Sequence, residues 1–304
     1  MLALLGGFGA ACCFAAATLA SARASRELGA RVVLGWVMLI GIVLVVPWVV
    51  VAGGAPPTAA DVPFLLVAGF GNSIGLLFAY SAFGTGKVSI AAPIVSTEGA
   101  LSAVIAIALG EPVAIPLAIA LGVVAIGVLL AARERDPAGS DVDSRLPPPV
   151  PIAPEPMPIA EVSPTADTRR PAVLAGVAAI MFGFALYATA HLGTTLSPAW
   201  VSLPSRLTGL LVVTVPLVLA GGLRSPGAAA PYVVIVGVAE VAGTACIAVG
   251  AAAGIAVTSV LASQFAVIAA LGAYALLGER LARIQLAGVA LTIAGVATVA
   301  LLRA

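Results

Sequence analysis

Arg31-Val-Val-Leu-Gly-Trp-Val-Met-Leu-Ile-Gly-Ile-Val-Leu-Val-Val-Pro-Trp-Val-Val-Val-Ala-Gly53 carries one charge, at its first residue, and the next charge along the chain is Asp61. An α-helix rises about 1.5 Å per residue, so a run of this length crosses the roughly 30 Å hydrocarbon layer of a bilayer. The apolar residues are continuous rather than alternate, which excludes a strand of a membrane barrel. Read as a transmembrane helix, this stretch sets the solvent in which the rest of the chain has to fold.

Outward from it, Gly, Pro and charged residues divide the chain into ten apolar runs, at roughly 2–22, 31–53, 62–83, 87–109, 112–132, 171–192, 199–221, 229–250, 255–277 and 281–302. The breaks include Gly53-Gly54-Ala55-Pro56-Pro57, Gly110-Glu111-Pro112, Ser225-Pro226-Gly227 and Gly278-Glu279-Arg280, and the weakest is Gly250–Gly254. The expected fold class is therefore an all-α membrane protein of ten transmembrane helices. Ala20-Ser21-Ala22 has the form of a signal-peptide cleavage site, but no Lys or Arg precedes the first apolar run. The order is wrong for a cleaved signal, and a retained helix is expected.

Composition excludes the other broad classes. Of 304 residues, 62% are hydrophobic and 9% charged, with a mean hydropathy of +1.18. Soluble domains carry about 25% charged residues. The net charge of +1 provides no basic field for nucleic acid. Cys12, Cys13 and Cys246 lie in apolar runs without a CxxC, and His191 is the sole histidine. No cofactor or metal-ligand pattern follows from them, and the cysteines read as small packing residues.

Residues 133–170 are the exception to the apolar chain. They hold nine prolines and twelve of the 27 charges, with no apolar periodicity. Such a segment buries too little surface to offset its ordering entropy, and a disordered linker is expected. Three segments result: a five-helix unit at 1–132, the linker at 133–170, and a second five-helix unit at 171–304. Lys and Arg counts orient the chain. Twelve fall in the loops on the linker side, against Arg303 alone on the side of the termini. The linker is expected in the cytoplasm and both termini outside, in a bacterial plasma membrane.

The two halves align without gaps at an offset of 168. This pairs Gly69 with Gly237, Gly75 with Gly243, Gly86 with Gly254, Leu109-Gly110-Glu111 with Leu277-Gly278-Glu279, Ala114 with Ala282, and Gly127-Val128 with Gly295-Val296. Five of these identities are glycines and one is an acid at a helix junction. Units with an odd number of spans enter the membrane in opposite senses, so the expected architecture is two inverted five-helix repeats. In that architecture the substrate site lies near the midplane, where the halves meet.

Leu277-Gly278-Glu279-Arg280-Leu281, followed by Gln285, Gly288 and Gly295-Val296, resembles the end of an EamA-type domain of the drug/metabolite transporter superfamily. Leu109-Gly110-Glu111 with Gly127-Val128 resembles the same motif, although Pro112 and Pro116 intrude and Ala120 stands where a glycine is expected. The resemblance implies a ten-helix transporter of small metabolites driven by gradients rather than ATP. It carries over no site residue.

Candidate site residues come instead from polarity at span centres, where a charge costs roughly 2.5–3.5 kcal/mol. Glu98 and Glu240 each lie eleven residues into a span, Asn72 is the offset mate of Glu240, and Ser96 is that of Gln264. Arg206 lies inside the seventh span, placed so that it either binds a substrate carboxylate, pairs with a buried Glu, or snorkels to the outer interface. Asn72 and Gln264 read equally as substrate ligands or as interhelical hydrogen-bond partners. A carboxyl exposed in turn to two compartments can load and release a proton, so Glu98 and Glu240 are expected to carry protons or meet a cationic substrate. Glu111 and Glu279 each open a helix and are expected to meet its dipole. Pro93, five residues before Glu98, is expected to kink its helix. Ser81–Lys87 lacks the first Gly and the final Ser/Thr of a nucleotide-binding loop.

The expected function is a secondary active transporter, an exporter of small metabolites, amino acids or drugs, coupled to protons through midplane carboxylates. Its partners would be a small-molecule substrate, protons and the bilayer, with no nucleic acid. The alternative is a non-transporting membrane scaffold or complex subunit that acts through its linker. No catalytic constellation supports an enzyme.

Overall fold

The computed structural model describes residues 1–86, 88–131 and 169–269, with isolated positions between 284 and 302. Every regular element among them is helical. Seven stretches are long and apolar enough to cross a membrane: Leu2–Leu28, Ala30–Ala52, Ala59–Thr85, Ala91–Ala108, Arg169–Leu192, Pro198–Leu219 and Gly227–Ala251. They coincide with the expected first to fourth and sixth to eighth spans. The fifth appears as a shorter apolar helix, and the ninth is described as far as Ala269. The tenth span and the linker lie almost wholly outside the described residues, as does the motif at 277–281. The loose boundary after the eighth span is a turn, closed by Gly254 at φ 144°, a value L side chains rarely adopt.

The helices are α1 (Leu2–Leu28), α2 (Ala30–Ala52), α3 (Val62–Thr85), α4 (Val88–Val95), α5 (Glu98–Ala108), α6 (Ile115–Ala131), α7 (Arg169–Leu192), α8 (Pro198–Gly209), α9 (Val215–Leu219), α10 (Ala230–Ala251) and α11 (Ile255–Ala262). A π-helical turn, Leu210–Thr214, joins α8 to α9. The Val215 N–H there reaches back to the Leu210 carbonyl, and Pro216, which has no N–H, follows at once. Removal of a donor at that point accounts for the wider turn.

Element boundaries recur at a fixed spacing. Short 3-10 turns at Ala59–Asp61 and Gly227–Ala229 lead into α3 and α10, each with a proline in its first turn, and both the turns and the helices start 168 residues apart. Starts of α2 and α8 are separated by the same number. Packing follows the pattern: α1 lies along α10 and α3 along α7 in the two most extensive helix contacts, while α2 meets α8 and α5 meets α11. Each half thus buries its helices chiefly against the other.

Small residues permit this closeness. A Cβ at Gly243 would stand 2.5 Å from the ring of Phe14, and one at Gly75 would stand 2.5 Å from the ring of Phe182. The two contacts exchange roles at the 168 spacing. The same holds at Gly41, filled by the Arg206 side chain, and Gly209, filled by that of Met38. Ala, Gly and Ser make up much of the buried faces, and Val43, Val50, Leu66, Phe70, Ile119 and Leu211 are exposed outward, as lipid contact requires.

Two helices are broken partway. α4 stops at Val95 and α5 resumes at Glu98; α11 stops at Ala262 and helix resumes at Phe265. At the first break the Ser96 hydroxyl donates to the Pro93 carbonyl (2.8 Å) and that of Thr97 to Ile94 (2.7 Å). At the second, Ser263 Oγ and Gln264 Nε2 both donate to the Val260 carbonyl (2.8 Å each). Side chains that capture carbonyls three and four residues back compete with the helical ladder. Proline is not the common cause, since Val260 takes the place of Pro93 in the second break. The backbone bonds Thr97 to Ile94 and Gln264 to Leu261 match at a spacing of 167. Ser96 therefore corresponds in structure to Ser263, and Thr97 to Gln264; the sequence pairing of Ser96 with Gln264 is corrected by one residue.

Candidate functional site

α1, α3, α7 and α10 enclose a cavity of about 70 Å³, room for a few waters. The broken helices close one side of it through Val95, Glu98 and Phe265. α3 contributes Asn72 and Tyr80, about two turns apart, and α10 contributes Glu240 and Thr244, about one turn apart, along one face of each helix. Phe14 of α1 and Phe182 of α7, the pair seated on Gly243 and Gly75, form opposed apolar walls.

Of the six residues expected at the site, three meet here: Asn72, Glu98 and Glu240. Glu98 is 7% exposed and Glu240 6%. Asn72 Nδ2 and Tyr80 Oη are buried and have no hydrogen-bond partner among the described residues. Both residues, Asn72 and Tyr80, line the cavity, and the Tyr80 hydroxyl lies on the side of Glu240.

Arg206 stands behind Glu240, outside the cavity lining. Its Nη2 lies 3.6 Å from Glu240 Oε2, and the side chain is 0% exposed. The snorkelling alternative is overturned. Arg206 is eight residues from Pro198 and thirteen from Leu219 in a 22-residue span, about 12 Å from the nearer end. The side chain is wrapped by α2 at Gly41 and by α10. None of its three nitrogens has a hydrogen bond among the described residues, so the ion pair with Glu240 is its charge partner.

Ser96 and Gln264 do not line the cavity. Ser96 is spent on its helix break, and Gln264 Nε2 bonds within its own helix, while the buried Gln264 Oε1 has no partner among the described residues. Interhelical bonds come instead from Ser73 to the Ser205 carbonyl (3.0 Å), Thr214 to that of Gly35 (3.2 Å), and Ser102 to Ser259 (2.9 Å between hydroxyls). Glu111 also differs from expectation. It accepts the Ala256 N–H at 2.9 Å and so caps α11, not the helix it precedes. Its offset mate Glu279 lies outside the described residues. His191 stacks on Phe64 with ring centroids 4.1 Å apart at the end of α7, away from the cavity.

Phe14, Phe182, Thr18 and Thr189 are cavity residues that a search for midspan polarity passes over. Phe14 and Phe182 are 168 apart, so the offset alignment contains the signal; apolar identity in an apolar chain hid it. Thr18 and Thr189 carry no such mark.

Residues 1–133 match the model of the EamA-like transporter family. The match falls on the first half, whereas the motif quoted at greater length lies in the second. No curated protein matches the chain. Nineteen chains of solved structures do. One, described as "Crystal structure of protein", has a TM-score of 0.70 at 17% identity over 99% of this chain and 96% of that one. That likeness is one of fold. Over residues 1–133, therefore, the chain is similar to the EamA-like transporter family.

Proposed function

We propose that the chain is a secondary active exporter of small metabolites, amino acids or drugs, coupled to protons through midplane carboxylates, Glu98 or Glu240. It would work as two inverted five-helix repeats, 1–132 and 171–304, joined by a cytoplasmic linker, with ten membrane helices and both termini outside. The observation that carries this reading is the cavity in which Asn72, Glu98 and Glu240 converge, with Arg206 behind one of the acids.

Alternating access requires a site that each compartment reaches in turn, and inverted repeats supply two mirror-related conformations at no cost in sequence. The exchanged contacts Phe14–Gly243 and Phe182–Gly75 support such a relation. So do the two helix breaks beside the cavity, since interrupted helices free backbone groups at membrane depth where a protein lines a cavity. A carboxyl group there takes a proton from one side, is carried through the rearrangement, and gives the proton up on the other.

The test is proton flux in proteoliposomes containing a pH-sensitive dye, challenged with amino acids, nucleosides, polyamines and cationic drugs. A substrate-dependent pH change that is lost in Glu98→Gln or Glu240→Gln supports coupling at this site. Substrate uptake without any pH change overturns proton coupling but leaves a transporter.

A further inference from the structure

Arg206 and Glu240 have counterparts in the first half. At the 168 spacing Arg206 corresponds to Met38 and Glu240 to Asn72. The correspondence is physical as well as numerical: the Arg206 side chain fills the space at Gly41, and the Met38 side chain fills the space at Gly209, glycines that are themselves 168 apart. One half therefore places an ion pair where the other places a thioether and an amide. Both are uncharged in sum.

We infer that Arg206 is a positioning residue which, with Glu240, forms one neutral unit interchangeable with Met38–Asn72, leaving Glu98 as the single exchangeable charge of the cavity. The inference rests on the proposed transport reading for what that charge is used for. Its geometry is independent of it. Arg206 is not among the residues that line the cavity, is fully enclosed, and among the described residues pairs with Glu240 alone. It holds Glu240 from behind and has no nitrogen on the substrate side. Glu98 has no such partner among the described residues. The titratable or charged groups facing it are Tyr80 of α3 and Glu240 of α10, with Arg206 beyond the latter; α1 and α7 present Thr18, Thr189 and phenylalanines. By the structural correspondence at the helix breaks, the place of Glu98 in the second half is taken by Phe265, also on the cavity wall. Among the described residues, then, the first half brings to the cavity a carboxyl, Glu98, where the second brings a phenyl ring.

A buried ion pair is costly to halve and cheap to replace as a whole. That asymmetry provides the experiment. The full chain is made as Arg206→Met, Glu240→Asn, the double variant and Glu98→Gln. Each is assayed by melting midpoint in detergent, and by the infrared carboxyl band in lipid vesicles as the pH is stepped. Each single change at the pair is expected to lower the midpoint by about 5 °C or more. The double change, which copies the first half, should return to within about 2 °C of the natural chain. The titrating carboxyl band should disappear in Glu98→Gln and persist in the double variant. If the single variants do not fold, recovery of monodisperse protein in the double carries the same meaning.

A double variant no more stable than the worse single overturns the neutral unit. A band that survives Glu98→Gln and vanishes in Glu240→Asn overturns the assignment to Glu98. Neither result touches the transport reading, which fails separately, through absence of flux for every compound by the natural chain.

Discussion

Phe14 lies against Gly243 as Phe182 lies against Gly75, and the two contacts are the same contact seen from either half of the chain. Each ring stands on one wall of the cavity and requires a residue without a side chain beneath it. The shape of the cavity is thus fixed by two glycines on helices of opposite halves.

A Cβ at either glycine collides with an aromatic ring on a neighbouring helix, and overpacking of that kind costs about 1–3 kcal/mol. Gly243→Val and Gly75→Val are expected to lower the melting midpoint by several degrees. Phe14→Ala should recover much of the loss in Gly243→Val and none in Gly75→Val, with Phe182→Ala behaving conversely. A thermal shift series across the six variants checks it, and indifferent rescue would show that the pairing is wrong.

Glu111 caps α11 from another part of the chain, accepting the Ala256 N–H. A carboxylate at a helix N-terminus contributes about 0.5–2 kcal/mol through the bond and the dipole together. Glu111→Ala should cost about 1 kcal/mol in stability, while Glu111→Gln keeps an acceptor oxygen and should cost less. Denaturation of the two purified variants side by side gives the comparison.

Ser102 and Ser259 share a buried hydrogen bond between α5 and α11 at 2.9 Å, below the two breaks. Interhelical bonds in membranes are worth about 0.6 kcal/mol on average. Ser102→Ala and Ser259→Ala should each lose about that much, and the double variant no more than the larger single. Additive losses in the double-mutant cycle would remove the bond from consideration.

Linker deletion separates the two functional readings. With residues 133–170 replaced by a Gly/Ser segment of equal length, proteoliposome flux is expected to stay within about twofold of the natural chain, because a flexible tether only keeps the halves together. Loss of all function with the helices intact would favour the scaffold reading instead.

Most of the architecture was legible because a bilayer punishes exposed backbone and charge so heavily that span positions are written in composition. Arg31–Gly53 reads as a membrane helix by itself, and five glycines with one junction acid recurring at a spacing of 168, Gly75 and Gly243 among them, suggest two related halves. The candidate acids were legible for the same reason: Glu98 and Glu240 are expensive where they stand. What the sequence could not determine was direction. The face of a helix does not name the neighbour it will meet, so nothing in α8 says whether Arg206 reaches the cavity, the interface or a partner; packing against Gly41 and Glu240 decided that. Nor does a constant offset reveal that the two broken helices differ by one residue, which moves the mate of Ser96 from Gln264 to Ser263. Sequence determined which residues are out of place in hydrocarbon. Tertiary structure decided which of them meet, because meeting depends on helix rotation and close approach, and these are set by glycines and side-chain volumes from the opposite half of the chain.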